Sequence, residues 1–387
     1  MSEKRKILFI GPYPPPYAGP EMGMKLFLDS SLKDGFHIFF LNTNVRKSNS
    51  TKGKFDSKAC LAFFRFVFSL LYMIIRYRPA LAYYPVTATQ FGWIGRDIWC
   101  LTICRLFQVK CLIHLRGSHF KLNYEKFHPL VKWLIRWSCK LVSAAIVQAE
   151  CLKEQFEGLI PKDHIKVLYQ AIDSVVYDNP DLDSYQHGKI LFLGHLTKAK
   201  GYTDLLLSME SVIENCPEAH FYFAGTIRKG ERNVHFNQYT GNRLCYENPY
   251  LTRKEILSGR FQEHYHELGI IYGDDLLEHL RSADIFVLPS YSEGFSRAML
   301  EAMSVGKPVI YTPVGAHAEV MKNEQNGLMS EPGDIGQLSE NIKRLLQDRD
   351  LHCRIAEHNY RYTRERFDIT IIAKELSEIF NRCLNNI

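Results

Sequence analysis

Glu293 and Glu301, separated by seven residues, are the side chains of this 387-residue chain whose setting most directly suggests chemistry. They lie in Ala283–Gly306, ADIFVLPSYSEGFSRAMLEAMSVG. Within it, Asp284 to Pro289 is a short apolar run that reads as a buried β-strand. Ser290 to Phe295 reads as a loop carrying Glu293 and Gly294. A helix follows, with Ser296 as its N-cap and Gly306 just past its end. Lys307-Pro308 closes the unit and Val309–Tyr311 opens the next strand. A helix N-terminus after a parallel strand presents free backbone N–H groups and partial positive charge, which suits a phosphate. Two carboxylates beside it would repel that phosphate, so they are expected to accept hydrogen bonds from hydroxyls. A ligand with an anionic centre and polyhydroxy ends fits, namely a nucleoside diphosphate sugar. Glu301 would hold one diol and Glu293 another.

Strands that position such a site recur along the chain. The first half predicts strands at Lys6–Ile10, His37–Leu41, Leu81–Tyr84, Cys111–Leu115, Ala145–Gln148 and Ile165–Leu168, with helices between most of them. That alternation predicts a parallel doubly wound sheet. The apolar stretch Cys60 to Ile75, interrupted by Arg65, is too short to span a bilayer and reads as a buried crossover helix. The loop after strand one, Gly11 to Gly23, lacks the GxGxxG spacing of a dinucleotide site. Asp173 to Gly188 is polar and reads as a linker, so Asp181-Leu-Asp183 inside it is rejected as a metal site. A second set of strands is expected at Ile190–Leu193, His220–Ala224 and Ile270–Tyr272, before the strand at Asp284. Helices are expected around Leu205–Ile213, Leu276–Ser282, Leu338–Leu346 and from Ile372 onward. The polar segment Thr226 to Gln262, with Arg228, Lys229, Arg232 and Arg243, reads as an insertion.

The composition is that of a globular protein, 46% hydrophobic and 23% charged, enough to bury two medium cores. Ten cysteines without a CxxC pair or metal-type spacing read as buried thiols in a reducing compartment. The apolar run Ile7–Ile10 is too short for a signal-peptide core, which predicts a cytoplasmic protein. The net charge of +6 is concentrated between Arg96 and Lys140, interleaved with Phe107, Phe120, Tyr124, Phe127, Trp133 and Trp137. Such a stretch fits peripheral contact with the cytoplasmic face of an anionic membrane, or a solvated helix face over a core. No nucleic-acid motif accompanies it.

The run FVLPSYSEGFSRAMLEAMSVGKPVI, with Thr312-Pro-Val-Gly315, Glu319 and Asn326-Gly-Leu328, resembles the signature of group 1 glycosyltransferases. The resemblance implies two Rossmann-like domains facing a central cleft, the GT-B architecture, with a C-terminal helix crossing back to the first domain. It implies an acceptor-side domain over residues 1–175 with helix 370–387, and a donor-binding domain over 186–368. Gln170-Ala-Ile-Asp173 resembles the family's boundary motif. The group 1 resemblance implies retaining transfer of a sugar from a nucleoside diphosphate to an acceptor hydroxyl, with no cofactor and no metal. Lys200-Gly201 matches the donor-diphosphate motif of the family. His195 stands where that motif has arginine, and imidazole lacks both the bidentate fork and the permanent charge; Lys198 or Arg297 would compensate. The phosphate cradle would be Gly294, Phe295 and Ser296. Gly19 sits in the family's first glycine-rich loop, with Pro20 where a second glycine is common. The loop His114-Leu-Arg116-Gly-Ser-His119 closes a strand where the family places a histidine before a glycine. His114 and Arg116 are therefore both candidates to face the reacting sugar.

Catalysis would then rest on Glu293, Lys200, His114 and Arg116, with Glu293 positioning the donor rather than acting as nucleophile. Three alternatives share parts of this pattern: a nucleotide-sugar epimerase of the same fold, a phosphorylase, and a nucleotide-sugar-binding subunit with impaired activity. A phosphorylase is disfavoured because the chain shows no lysine motif for pyridoxal phosphate. The expected partners are the nucleotide-sugar donor and a glycan or lipid-linked glycan acceptor, as in bacterial surface polysaccharide synthesis, with no nucleic acid.

Overall fold

The computed structural model describes residues 4–17, 19–44, 57–179, 181–227, 253–254, 258 and 261–385, with 57–60 as backbone alone. Most of the 226–262 insertion, including Arg228, Lys229, Arg232 and Arg243, lies outside the described residues. The chain divides into two compact units, Met1–Ala171 with Ile369–Ile387, and Ile172–Asp368. The strands are β1 (Arg5–Gly11), β2 (Phe36–Asn42), β3 (Leu81–Val86), β4 (Lys110–Leu115), β5 (Ala144–Val147), β6 (Ile165–Val167), β7 (Lys189–Leu193), β8 (His220–Ala224), β9 (Tyr265–Gly269), β10 (Ile285–Leu288), β11 (Val309–Tyr311) and β12 (Gly327–Met329). The helices used below are α1 (Gly19–Asp29), α2 (Ser57–Tyr77), α3 (Ile98–Leu106), α4 (Pro129–Cys139), α5 (Tyr202–Asn215), α6 (Asp274–Ser282), α7 (Arg297–Ser304), α8 (Ile335–Gln347), α9 (Arg349–Arg366) and α10 (Ile369–Asn385).

The first unit is a parallel sheet in the order β2-β1-β3-β4-β5-β6. Its central strands are near-continuous apolar runs because helices cover both faces. One face carries α1 and α10: Met24, Phe27, Ile372, Leu376 and Phe380 share a core with Phe9 and Tyr83. Right-handed crossovers place α2, α3 and α4 on the other face. The C-terminal helix thus completes the first unit, as the resemblance implied. Lys110 Nζ donates to the Cys383 carbonyl at 2.9 Å and Arg5 Nη1 to Asn385 Oδ1 at 2.7 Å, tying its end down.

The second unit runs β12-β11-β10-β7-β8-β9, also all parallel. Read from its first strand this is the 3-2-1-4-5-6 Rossmann order, with the reversal between β7 and β10. The apolar face of α5 (Leu205, Leu206, Met209, Val212, Ile213) is buried as its periodicity required. α8 lies along it.

Three expectations need correction. The strand expected at Ile270–Tyr272 is instead β9, five residues earlier. There Tyr265 and His266 stack on Phe223 and Tyr222 of β8, with centroids 4.9 and 4.4 Å apart. Those ring contacts outweigh the apolar run that follows, and Ile270 and Tyr272 stay exposed. The crossover helix α2 is not buried. Leu70 and Ile74 are, but Leu61, Phe64, Phe68, Tyr72 and Ile75 face outward. The basic aromatic stretch is divided as well: Phe120 belongs to the core, whereas Phe107, Trp133 and Trp137 are exposed. The eight described cysteines are free thiols, and all but Cys151 and Cys353 are buried.

The Phe380 ring meets Phe9, Phe36 and Tyr83 with centroids 5.9, 5.6 and 6.1 Å apart. Phe380→Ala is expected to cost about 3–5 kcal/mol by opening a cavity against a well-packed sheet. Urea unfolding would show it as a lower midpoint for the first unit's transition. An unchanged midpoint would mean that α10 does not complete this core.

Candidate active site

In an open parallel sheet, ligands bind beyond the carboxyl ends of the strands, where the strand order reverses. In the second unit that point lies between β7 and β10. The loops leaving those two strands are Gly194–Gly201 and Pro289–Ser296, which hold most of the residues singled out in the sequence. Their backbones are locked together. Gly201 adopts a φ of 73°, and a Cβ there would stand 2.1 Å from the Pro289 carbonyl oxygen. Gly315, at φ 55°, passes under the other side, where a Cβ would stand 2.0 Å from the Glu293 carbonyl oxygen. Tyr291 N–H donates to Ala199 O at 2.9 Å and Ala316 N–H to Gly294 O at 2.8 Å. Glycine is needed at both crossings because each combines a left-handed φ with a backbone contact that no side chain survives.

Glu293 is nearly buried and pairs with Lys200, with Nζ 2.5 Å from Oε1. Ser290 Oγ donates to the same oxygen at 2.8 Å. Burial pushes the Glu293 carboxyl up, but the Lys200 charge and the two hydrogen bonds outweigh it and hold it below the usual carboxylate range. His317 lies close by, fully buried, beside the Thr312 backbone. Burial pushes it down to about 4, so at neutral pH it carries no charge and Lys200 supplies the countercharge for Glu293.

Helix α7 begins where expected: Ser296 Oγ accepts from the Met299 N–H at 3.3 Å, and Gly306 follows with φ 73°. Glu301, one turn in, is buried. Its Oε1 accepts from Arg297 Nε and from the Tyr177 hydroxyl, both at 2.7 Å. Burial opposes the Arg297 charge, but Glu301 and Tyr177 hold its pKa above the ordinary value. Arg297 is therefore held against Glu301, and its buried Nη1 has no partner among the described residues. Lys198 is similarly engaged, 2.5 Å from the buried Asp204 and over the Tyr291 ring. Of the two cations expected to stand in for the missing arginine, each already has an acid of its own. His195 is exposed. Phe295 packs against Phe367 and His317. Asp183 pairs with Arg349 at 2.7 Å. Among the described residues no group of His, Cys, Asp and Glu could hold a metal ion.

The first unit carries its own polar cluster at the ends of β3 and β4. The buried His114 ring shares a 2.7 Å hydrogen bond between Nδ1 and the Tyr83 hydroxyl, and its Nε2 has no partner among the described residues. Burial, then the Arg116 charge, hold its pKa well below the ordinary value, so it is a neutral imidazole. Arg116 Nη2 donates to Tyr83 Oη at 3.3 Å and Nη1 to Pro20 O at 3.4 Å, with the guanidinium over the Phe27 ring. The glycine that makes room here is Gly23, where a Cβ would stand 2.0 Å from Arg116 Nη1. At Gly19 a Cβ would meet nothing. The sequence reading missed Tyr83, Tyr177, Ser290 and His317. His317 sat inside the Thr312–Glu319 run, but Tyr177 lies in a stretch with no local signal.

Residues 182–362 match the family described as glycosyl transferases group 1. The chain carries a group 1 glycosyltransferase domain. Similar curated proteins cover more of it. An uncharacterized glycosyltransferase of Methanocaldococcus jannaschii is 27% identical over 296 residues, 72% of this chain and 70% of that one. The UDP-Gal:alpha-D-GlcNAc-diphosphoundecaprenol alpha-1,3-galactosyltransferase of Escherichia coli is 26% identical over 353 residues, 84% of this chain and 79% of that one. HepE of Anabaena, solved in complex with UDP and glucose, superposes with a TM-score of 0.71 over 98% of this chain and 100% of its own, at 17% identity. Two parallel six-stranded sheets with flanking helices, and the superposition on HepE, give the chain the GT-B fold.

The pairing of Lys200 with Glu293 has a pH signature. The depressed Glu293 carboxyl contributes stability that is full above the ordinary value of about 4.3 and is lost as pH falls through its lower folded value. In Lys200→Met, burial acts unopposed by that charge and the carboxyl moves up. The variant is expected to lose about 2 kcal/mol at neutral pH, and progressively less as the pH falls below about 4.3 and the carboxyl takes up its proton. A loss that is uniform with pH in thermal unfolding would show that the pair contributes nothing through its charge.

His317 acts with the same sign. Its depressed folded pKa gives stability that is present above the ordinary histidine value of about 6.5 and is lost as the pH drops toward the folded value. His317→Leu is expected to flatten the unfolding profile of the second unit between these limits. An unaltered slope would mean that the ring is not held neutral in the fold.

Proposed function

We propose that the protein transfers a sugar from a nucleoside diphosphate sugar to an acceptor hydroxyl with retention of configuration, in bacterial surface polysaccharide or lipid-linked glycan synthesis. The observation that carries this reading is the Lys200–Glu293 pair at the strand-order reversal, beside the N-terminus of α7. A donor whose diphosphate meets that helix end would have its developing negative charge stabilised by the N–H groups of Gly294 to Ser296 and by Lys200, with no metal held by the protein. Glu293 aims the Lys200 ammonium with Oε1, and its carboxylate accepts from hydroxyls of the sugar. Its commitment to Lys200 and Ser290 fits a positioning carboxylate better than a nucleophile. Glu301, fixed by Arg297 and Tyr177, accepts from the ribose hydroxyls. His114 and Arg116 are assigned to the acceptor side. In the tautomer whose Nδ1–H donates to the Tyr83 hydroxyl, the neutral imidazole has a lone pair at Nε2 that can accept a hydrogen bond from a hydroxyl. The Escherichia coli relative is named for a diphosphoundecaprenol acceptor, and this supports a lipid-linked acceptor here.

A thermal-shift screen against UDP-, GDP-, ADP- and dTDP-sugars tests the donor half, repeated with Glu301→Ala. One donor is expected to stabilise the protein, by about 2.7 kcal/mol at about one hundred times its Kd, and the shift should vanish in the variant. UDP-sugars come first, because HepE was solved with UDP. Lys200→Met and Glu293→Gln are each expected to lower donor turnover about a hundredfold to a thousandfold. Turnover like that of the unaltered protein in either variant would remove that residue from the mechanism. No shift with any donor would favour a subunit without transferase activity.

A further inference from the structure

We infer that the face of the first unit built by α2, α3 and α4 is a docking surface for a lipid bilayer rich in anionic headgroups. The inference stands on that surface and not on the sugar-transfer reading. Along α2, Leu61, Phe64, Phe68, Tyr72 and Ile75 follow one another at steps of three and four residues, which sets them in one stripe. Each is at least 57% exposed. The opposite side of the helix, at Leu70 and Ile74, is buried.

The stripe has neighbours of the same kind. α2 packs on α3 and α3 on α4, and Phe63 of α2 meets the half-exposed Trp99 of α3 at 5.5 Å. On α4, Leu130, Trp133 and Trp137 repeat the spacing and are exposed. A monomeric domain seldom leaves so much contiguous apolar surface without something to cover it.

Charge chooses the occupant. Among their described side chains the three helices hold Arg65, Arg76, Arg105, Lys132 and Arg136, and not one aspartate or glutamate. A protein interface would be expected to mix both signs. Cations of one sign beside tryptophan, tyrosine and phenylalanine suit the boundary between headgroups and acyl chains, where ammonium and guanidinium groups reach phosphate while ring and stem stay apolar. Among the described residues no helix is long and apolar enough to cross a membrane, so α2 would lie flat in the boundary, about 30 Å of helix along the surface.

Co-sedimentation tests the proposal. The full chain would be mixed with vesicles of phosphatidylethanolamine and phosphatidylglycerol, or of phosphatidylcholine alone. Two variants would be compared, Phe68→Ser/Tyr72→Ser and Lys132→Glu/Arg136→Glu. The unaltered protein is expected to pellet with the anionic vesicles and to be released by salt. Each variant should bind them at least about tenfold more weakly, through lost apolar or lost electrostatic contact. Phe68, Tyr72 and Arg136 are exposed and Lys132 is half-buried with its Nζ on the Glu125 carbonyl, so the far-ultraviolet circular dichroism of both variants should match the original. Protein that stays in the supernatant, or variants that pellet equally well, would overturn the proposal. So would a dimer broken by Phe68→Ser/Tyr72→Ser in a protein that ignores vesicles, which would assign the face to a second copy. The nucleotide-sugar shift should persist in both variants. Its absence from the unaltered protein would count against the transferase reading and leave the vesicle result standing.

Discussion

A nearly buried ion pair governs the second unit. Glu293 has given up most of its water, and a carboxylate so placed is stable only if a cation and hydrogen-bond donors replace that hydration. Lys200 and Ser290 do so, and both come from loops whose paths are set by backbone crossings at Gly201 and Gly315. The dependence runs in both directions. The loops bring the charges together, and the charges penalise any arrangement that separates the loops. Neutral His317 beside the pair leaves the balance at one positive and one negative charge. The pair therefore carries little net charge of its own.

Glu301 is held by a similar logic with different parts. Arg297 lies four residues earlier on the same helix, and Tyr177 comes from the segment that enters the unit. Both donate to one carboxylate oxygen, so the orientation of the carboxyl group is fixed before any ligand is present. Lys198 and Asp204 repeat the pattern at the start of α5. Each candidate group is thus already organised by a partner, which lowers the reorganisation that binding would require.

The sequence made most of this legible because its information there is local. Runs of apolar residues with turn signals at their ends located ten of the twelve strands to within two residues, and the capped helix α7 started at the expected serine. β12 was seen only as an Asn-Gly-Leu motif, and β9 was misplaced because ring stacking across strands leaves no mark in a single run of sequence. The site divides in the same way. Glu293, Glu301 and Lys200 lie on short motifs and could be picked out. Tyr177 and Tyr83 act through contacts 124 and 31 residues away, which spacing alone does not reveal. Gly19 was chosen for its composition-rich loop, but the close approach that needs a glycine occurs at Gly23. The exposure of α2 escaped for a related reason. An apolar helix reads as buried unless one knows how many of its sides the sheet covers.

The return of α10 to the first unit affects how the protein is made. Ribosomes deliver β1 to β6 early, yet Phe9 and Tyr83 lack the helix that covers them until nearly two hundred further residues have been synthesised, since Ile172–Asp368 comes in between. The second unit is continuous in sequence and can close as soon as it emerges. The part of the protein made first is therefore the last to be finished, and in the interval its uncovered sheet face is the surface a nascent-chain chaperone would have to shield.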